Sequence, residues 1–84
     1  MIKIVLVEDD NAQRNIMANI VRAEGHVVFE AANFDAALAT VKENDPAVVV
    51  TDLKMPGRGG LDIKPPMVAG NVRARFVLIE GQKV

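Results

Sequence analysis

The sequence contains no cysteine, which excludes a disulfide scaffold and a thiolate zinc site. It has a single histidine, His26, and one histidine cannot build a metal centre alone. Charge of one sign is missing too. Ten basic residues stand against eleven acidic ones, a net charge of -1, so there is no global attraction to nucleic acid or to an anionic membrane. Long hydrophobic runs are absent. No purely apolar stretch exceeds four residues, as in Ala47 to Val50, against the roughly 20 that span a bilayer. Met1-Ile2-Lys3-Ile4-Val5 runs almost directly into an acidic triplet, without the basic head, longer apolar stretch and cleavage site of a secretory signal. A cytoplasmic protein with no membrane association is therefore expected. There is no internal repeat and no low-complexity tract. Gly57, Gly59 and Gly60 are not followed by Gly-Lys-Ser/Thr, so they are not read as a phosphate cradle.

What remains is a chain of 84 residues, half hydrophobic and a quarter charged. That is one domain at most, and too apolar and too balanced in charge to be disordered. A domain of this size buries only roughly 60% of its unfolded surface, so its stability is marginal unless something supports it.

Ile4-Val5-Leu6-Val7 is a short, β-rich apolar run that ends at Glu8-Asp9-Asp10. It reads as a strand buried on both faces. Asp10 can cap a following helix, with Gln13 at the capping-box spacing. Ala12, Ile16, Ile20 and Ala23, with Met17 and Val21 beside them, predict its apolar face, and Gly25 predicts its end. His26 to Ala31 reads as a second strand. Asn33 offers another cap, and Phe34, Ala37, Leu38 and Val41 predict the buried face of a second helix. Pro46 stops it. Ala47 to Thr51 is a third strand that runs into Asp52. The β-α-β-α-β order predicts an α/β fold with a parallel sheet. A fourth strand is expected near residues 75–80.

Chemistry concentrates where strands end. Glu8 and Asp9 close the first strand and Asp52 closes the third. With strand order 2-1-3 these strands are neighbours, and the three carboxylates meet at the sheet edge where such folds bind ligands. Clustered carboxylates stay ionised only if a cation or hydrogen-bond donors compensate them. An all-oxygen set suits Mg²⁺, and an exposed carboxylate oxygen can attack phosphorus. One acidic strand end is accounted for by helix capping, the role read for Asp10. Two acidic ends on adjacent strands point instead to a site.

Ile4-Val5-Leu6-Val7-Glu8-Asp9-Asp10, with Arg14 five residues after Asp9, resembles the opening of a bacterial two-component response-regulator receiver domain. Val48-Val49-Val50-Thr51-Asp52-Leu53-Lys54-Met55-Pro56, followed by Gly60-Leu61, resembles its phosphoacceptor segment. The resemblance covers residues 2–63 and implies a flavodoxin-like sheet. By position it implies that Asp52 accepts a phosphoryl group from a sensor histidine kinase or phosphotransfer protein. It implies that Glu8, Asp9, Asp52 and the backbone carbonyl of Lys54 hold Mg²⁺. Met55-Pro56 matches the turn after the acceptor, and Asp10 the capping position. The implied role is signalling in a phosphorelay, not enzymatic turnover, beyond phosphorylation and dephosphorylation of Asp52 itself.

The departures from the family pattern fall late in the chain. Gly59 stands where an acidic residue is usual. The family continues for two further βα units, which supply a Ser or Thr after the fourth strand and a Lys after the fifth. Here Glu80 falls at the first of these positions. Lys64-Pro65 echoes the family's Lys-Pro pair but lies twelve residues past Asp52 with no strand before it. Lys83 carries no assigned role. The expectation is a truncated receiver: a core over 1–63 and an atypical tail over 64–84 that completes the sheet or forms a dimer interface. Phosphotransfer is expected to be impaired. A second expectation is a phosphorylation-independent interaction module acting as a homo-oligomer. A hydrolase forming an aspartyl phosphate of the haloacid dehalogenase type needs Asp-x-Asp after the first strand, which Glu8-Asp9-Asp10 does not supply. Arg73 and Arg75 read as the polar face of an edge strand and not as a nucleic-acid stripe. Met67 reads as a packing or loop residue.

Overall fold

The computed structural model describes residues 1–52 and 74–79, with Asp52, Leu78 and Ile79 described by backbone alone. Strand β1 spans Lys3–Val7, helix α1 Asn11–Ala23, β2 Val27–Ala31, α2 Phe34–Asn44, β3 Val48–Asp52 and β4 Arg75–Ile79. The four strands form one sheet in the order β2-β1-β3-β4. Each neighbouring pair is parallel. This is the flavodoxin-like arrangement expected from the sequence, and the fourth strand lies where it was expected.

The continuous apolar run of β1 is explained by its place. It pairs with β2 on one side and β3 on the other, and Ile4, Val5, Leu6 and Val7 are all buried. Alternate side chains serve opposite faces. Val5 and Val7 join Ala31, Phe34, Ala37, Val41 and Val49 beneath α2. Leu6 joins Ala18 and Val28 beneath α1, with Met17, Val21 and Val50 against them. Complete burial of a valine such as Val41 or Val49 contributes roughly 1.5–3 kcal/mol.

Both helices begin as the sequence indicates. The Asp10 carboxylate accepts a hydrogen bond from the Gln13 N–H at 2.9 Å, and the Asn33 side chain accepts one from the Ala36 N–H at 2.8 Å. Helix α1 gives way to Gly25 at φ 91°, in the left-handed region that glycine favours. Helix α2 closes on Asp45, also left-handed at φ 47°, with Pro46 next to prevent continuation.

The buried face of α2 is the expected one. Phe34, Ala37 and Val41 are buried, and Leu38 packs beside them. The buried face of α1 is not. Ile16 and Ile20 are each 60% exposed, and Ala12 and Ala23 are exposed as well. Ala18 is the buried residue of the helix, with Met17 and Val21 packed beside it. At about 100° per residue, residues 17, 18 and 21 lie on the side opposite 12, 16, 20 and 23. Ala18, fully buried, gives the helix a small residue at its contact with Leu6 and Val28. A larger side chain there would hold the helix off the sheet.

Strand β4 forms one edge of the described sheet. Ala74 and Phe76 pack against the cluster under α2. Arg75 is exposed, consistent with an edge-strand charge, and Val77, in register with Val50, is 47% exposed. Arg73 lies outside the described residues. Among the described residues, no helix is long and apolar enough to cross a membrane.

Candidate functional site

The parallel register aligns the strand ends that carry the acidic residues. Val7 is the partner of Thr51. Glu8 and Asp52 therefore follow as the next residues on adjacent strands, at the same edge of the sheet. Asp52 is the last residue of β3 and the partner of Ile79 in β4.

Glu8 is only 5% exposed. Its N–H donates to the Ala31 carbonyl at 3.0 Å, which continues the β1–β2 ladder one residue past the strand. Its side-chain Oε2 accepts from the Asp10 N–H at 3.0 Å, and its carbonyl accepts from Nη1 of Arg14 at 2.8 Å. Asp9 is different. It is half-buried, and its Oδ1 is buried yet accepts no hydrogen bond from the described residues. A buried polar atom left in that state costs about 1–3 kcal/mol, more for a charged group. A cation would remove that cost, and the carboxylates of the successive residues Glu8 and Asp9 are hard-oxygen donors of the kind Mg²⁺ takes. The residues present thus fit a divalent ion, with Glu8 and Asp9 contributed by the turn after β1. Among the described residues, no group of three or more His, Asp or Glu side chains is placed to hold a metal.

The remaining expected site positions are placed less fully. Asp52 is brought by its backbone to the same edge as Glu8. Lys54, Met55, Pro56, Gly59, Lys64, Pro65, Glu80 and Lys83 lie outside the described residues. His26 sits at the opposite end of the sheet, where its Nδ1 accepts the Ile2 N–H at 3.3 Å.

Arg14 and Arg22 stand outside the apolar set that predicts the face of α1. The structure brings both to Glu30 of β2. Arg14 Nε lies 3.5 Å from Glu30 Oε1, and Arg22 Nη2 lies 3.1 Å from Glu30 Oε2. Arg22 Nη2 also donates to the Val28 carbonyl at 2.9 Å. The available signal was Glu30 itself, the one charged residue in an otherwise apolar strand.

The family model for the response regulator receiver domain matches residues 4–79. The chain belongs to that family. As a receiver domain it is 31% identical over 77 residues to sporulation initiation phosphotransferase F of Bacillus subtilis, covering 92% of this chain and 62% of that protein. It is 35% identical over 60 residues to the chemotaxis protein CheY of Halobacterium salinarum, covering 71% of this chain and 50% of that protein. The receiver also resembles the chemotaxis protein CheY4 of Vibrio cholerae, with a TM-score of 0.91 at 20% identity, covering 100% of this chain and 72% of that one. The response regulator TrrA of Thermotoga maritima, solved in complex with Mg(2+)-BeF, gives 0.88 at 24% identity, covering 99% and 72%. At those identities the structural likeness concerns the fold alone.

Proposed function

We propose that this receiver domain is the phosphoacceptor module of a phosphorelay, with Asp52 as the acceptor. Its donor is a phosphohistidine on a sensor kinase or phosphotransfer protein. The observation that carries this reading is the buried Asp9 Oδ1, which has no hydrogen-bond partner among the described residues, next to buried Glu8 at the sheet edge where β3 ends on Asp52. A bond forms between an Asp52 carboxylate oxygen and phosphorus as the phosphorus–nitrogen bond to the donor histidine breaks. The released imidazole keeps the bonding pair and takes a proton from solvent. Glu8, Asp9, Asp52 and the Lys54 carbonyl are the proposed Mg²⁺ ligands. Bound there, the ion would offset the charge that the carboxylates and the phosphoryl oxygens place together. Glu8 contributes by closing the turn: its side chain holds the Asp10 N–H.

Transfer is slow in this proposal. Glu80 follows directly after β4, the position where the family resemblance implies a hydroxyl donor. A carboxylate there repels the phosphoryl group where a Ser or Thr would donate to it. Residues 1–63 are taken as the receiver core and 64–84 as an atypical tail that carries β4.

The test is treatment with acetyl phosphate and Mg²⁺, followed by intact mass. One phosphoryl group should add slowly to the unaltered chain and not at all to Asp52→Ala. Glu80→Thr should add it at least about tenfold faster, as expected when a hydrogen-bond donor is aimed at developing charge. Addition that persists in Asp52→Ala overturns the assignment of the acceptor. Fast, stable addition to the unaltered chain overturns the impairment.

A second reading is supported by the apolar surface of α1 and β4. Ile16, Ile20 and Val77 are large hydrophobic residues left substantially exposed. On that reading the chain is a phosphorylation-independent interaction module that self-associates, and dimers are expected in light scattering. A monomer at all concentrations counts against it.

A further inference from the structure

Arg14 grips the acidic turn from the side of α1. Its Nη1 donates to the Glu8 carbonyl at 2.8 Å and its Nη2 to Asn11 Oδ1 at 2.6 Å. Its backbone N–H bonds to the Asp10 carbonyl at 2.9 Å, and its Nε faces Glu30 at 3.5 Å. The side chain is 17% exposed, so the guanidinium is enclosed by these partners and has little freedom to swing away. Glu30 is held in turn by Arg22 at 3.1 Å, and Arg22 is tied to the Val28 carbonyl. A chain of contacts thus runs from β2 through two arginines to the peptide that joins Glu8 to Asp9. The planar fork of a guanidinium suits this task, because several acceptors fix its direction at once.

We propose that Arg14, steered by Glu30, is a positioning residue for the acidic edge. It fixes the Glu8–Asp9 peptide so that Asp9 Oδ1, buried and without a partner among the described residues, is ready for a divalent cation. The inference rests on the reading of that edge as a Mg²⁺ site. Partners beyond the direct ligands commonly set metal affinity in this way. With Glu8 held at its N–H by Ala31, at its side chain by the Asp10 N–H and at its carbonyl by Arg14, the carbonyl is the one of these holds that comes from a distant side chain. It is therefore the hold that a substitution can release without touching a candidate ligand.

Two measurements on the full chain test this. The first uses no metal. Amide hydrogen exchange at Asp10 should quicken in Arg14→Met, relative to the amide of fully buried Ala18, which reports the fold. Arg22→Met should leave Asp10 nearly unchanged. The second is a Mg²⁺ titration followed by NMR shifts of the Asp9 and Asp10 amides. Arg14→Met should weaken Mg²⁺ about tenfold. Arg14→Lys should recover part of the loss, because one ammonium can reach the carbonyl but cannot serve all three acceptors. Glu30→Gln keeps the carbonyl bond, and should give a smaller loss in the same direction. It stands in if Arg14→Met fails to fold. Unchanged Mg²⁺ affinity in a folded Arg14→Met, or in Glu30→Gln if it must stand in, overturns the proposal. An unaltered chain that takes up no Mg²⁺ overturns the cation reading instead. The metal-free exchange then judges Arg14 by itself, and unchanged Asp10 exchange overturns its role.

Discussion

The two faces of the sheet are covered by different means. Under α2 the contact is made by side chains with volume: Phe34, Val41, Val5, Val7 and Val49, with Phe76 reaching in from β4. Under α1 the buried set is Leu6, Ala18 and Val28. Met17 and Val21 pack beside that set, and the helix is tied as well through Arg14 and Arg22 to Glu30 and to the Glu8 and Val28 carbonyls. Apolar packing is non-directional and tolerates small shifts. Charge-assisted hydrogen bonds are directional. The helix that follows the acidic turn is thus the one attached by directional contacts, and the helix on the other face supplies the larger part of the core among the described residues.

Substitutions that remove, add or ignore volume can sharpen this contrast, and chemical denaturation reads all of them. The largest effect is expected at Phe34→Ala. Phe34 is 7% exposed, and its truncation should cost about 3–5 kcal/mol. A loss below about 1 kcal/mol would show that the α2 face does not carry the core. Next comes Ala18→Leu, which adds volume where α1 meets the sheet. Overpacking there should cost about 1–3 kcal/mol, and a neutral result would mean that the helix rides further from Leu6 and Val28 than described. The smallest effect is expected for Ile16→Gln and Ile20→Gln. At 60% exposure each, these should change stability by no more than about 0.5 kcal/mol apiece. A large loss at either would restore the face that periodicity favours.

That last pair marks where the sequence was legible and where it was not. The strands were legible because a run such as Ile4 to Val7 is apolar at every position, the pattern of a strand buried on both faces. The face of α2 was legible because Phe34, Ala37, Leu38 and Val41 offer a single apolar stripe. Helix α1 offers two stripes. The one with more bulk, through Ile16 and Ile20, is the exposed one. Periodicity weighs hydrophobicity, whereas close approach of this helix depends on the smallness of Ala18. Glu8, Asp9 and Asp52 were legible as candidates because strand ends converge at one edge whatever the loops do. The grip of Arg14 on Glu8 was not. It requires knowing that α1 turns its Arg14 side toward β2, which follows from the same packing that periodicity misjudged.

The strand order has a consequence for how the chain comes together. The first strand in sequence is an interior strand of the sheet. Lys3 pairs with Val27, 24 positions on, and Ile4 pairs with Val48, 44 positions on. Pairings so distant along the chain form slowly, because a long loop must close before any contact rewards it. During synthesis β1 leaves the ribosome ahead of β2 and β3, and one of its flanks stays bare until Val48–Asp52 has been made. The most apolar segment of the protein is then also the one that waits longest for its second neighbour, and a chaperone or a fast-forming β1-α1-β2 unit has that interval to protect it.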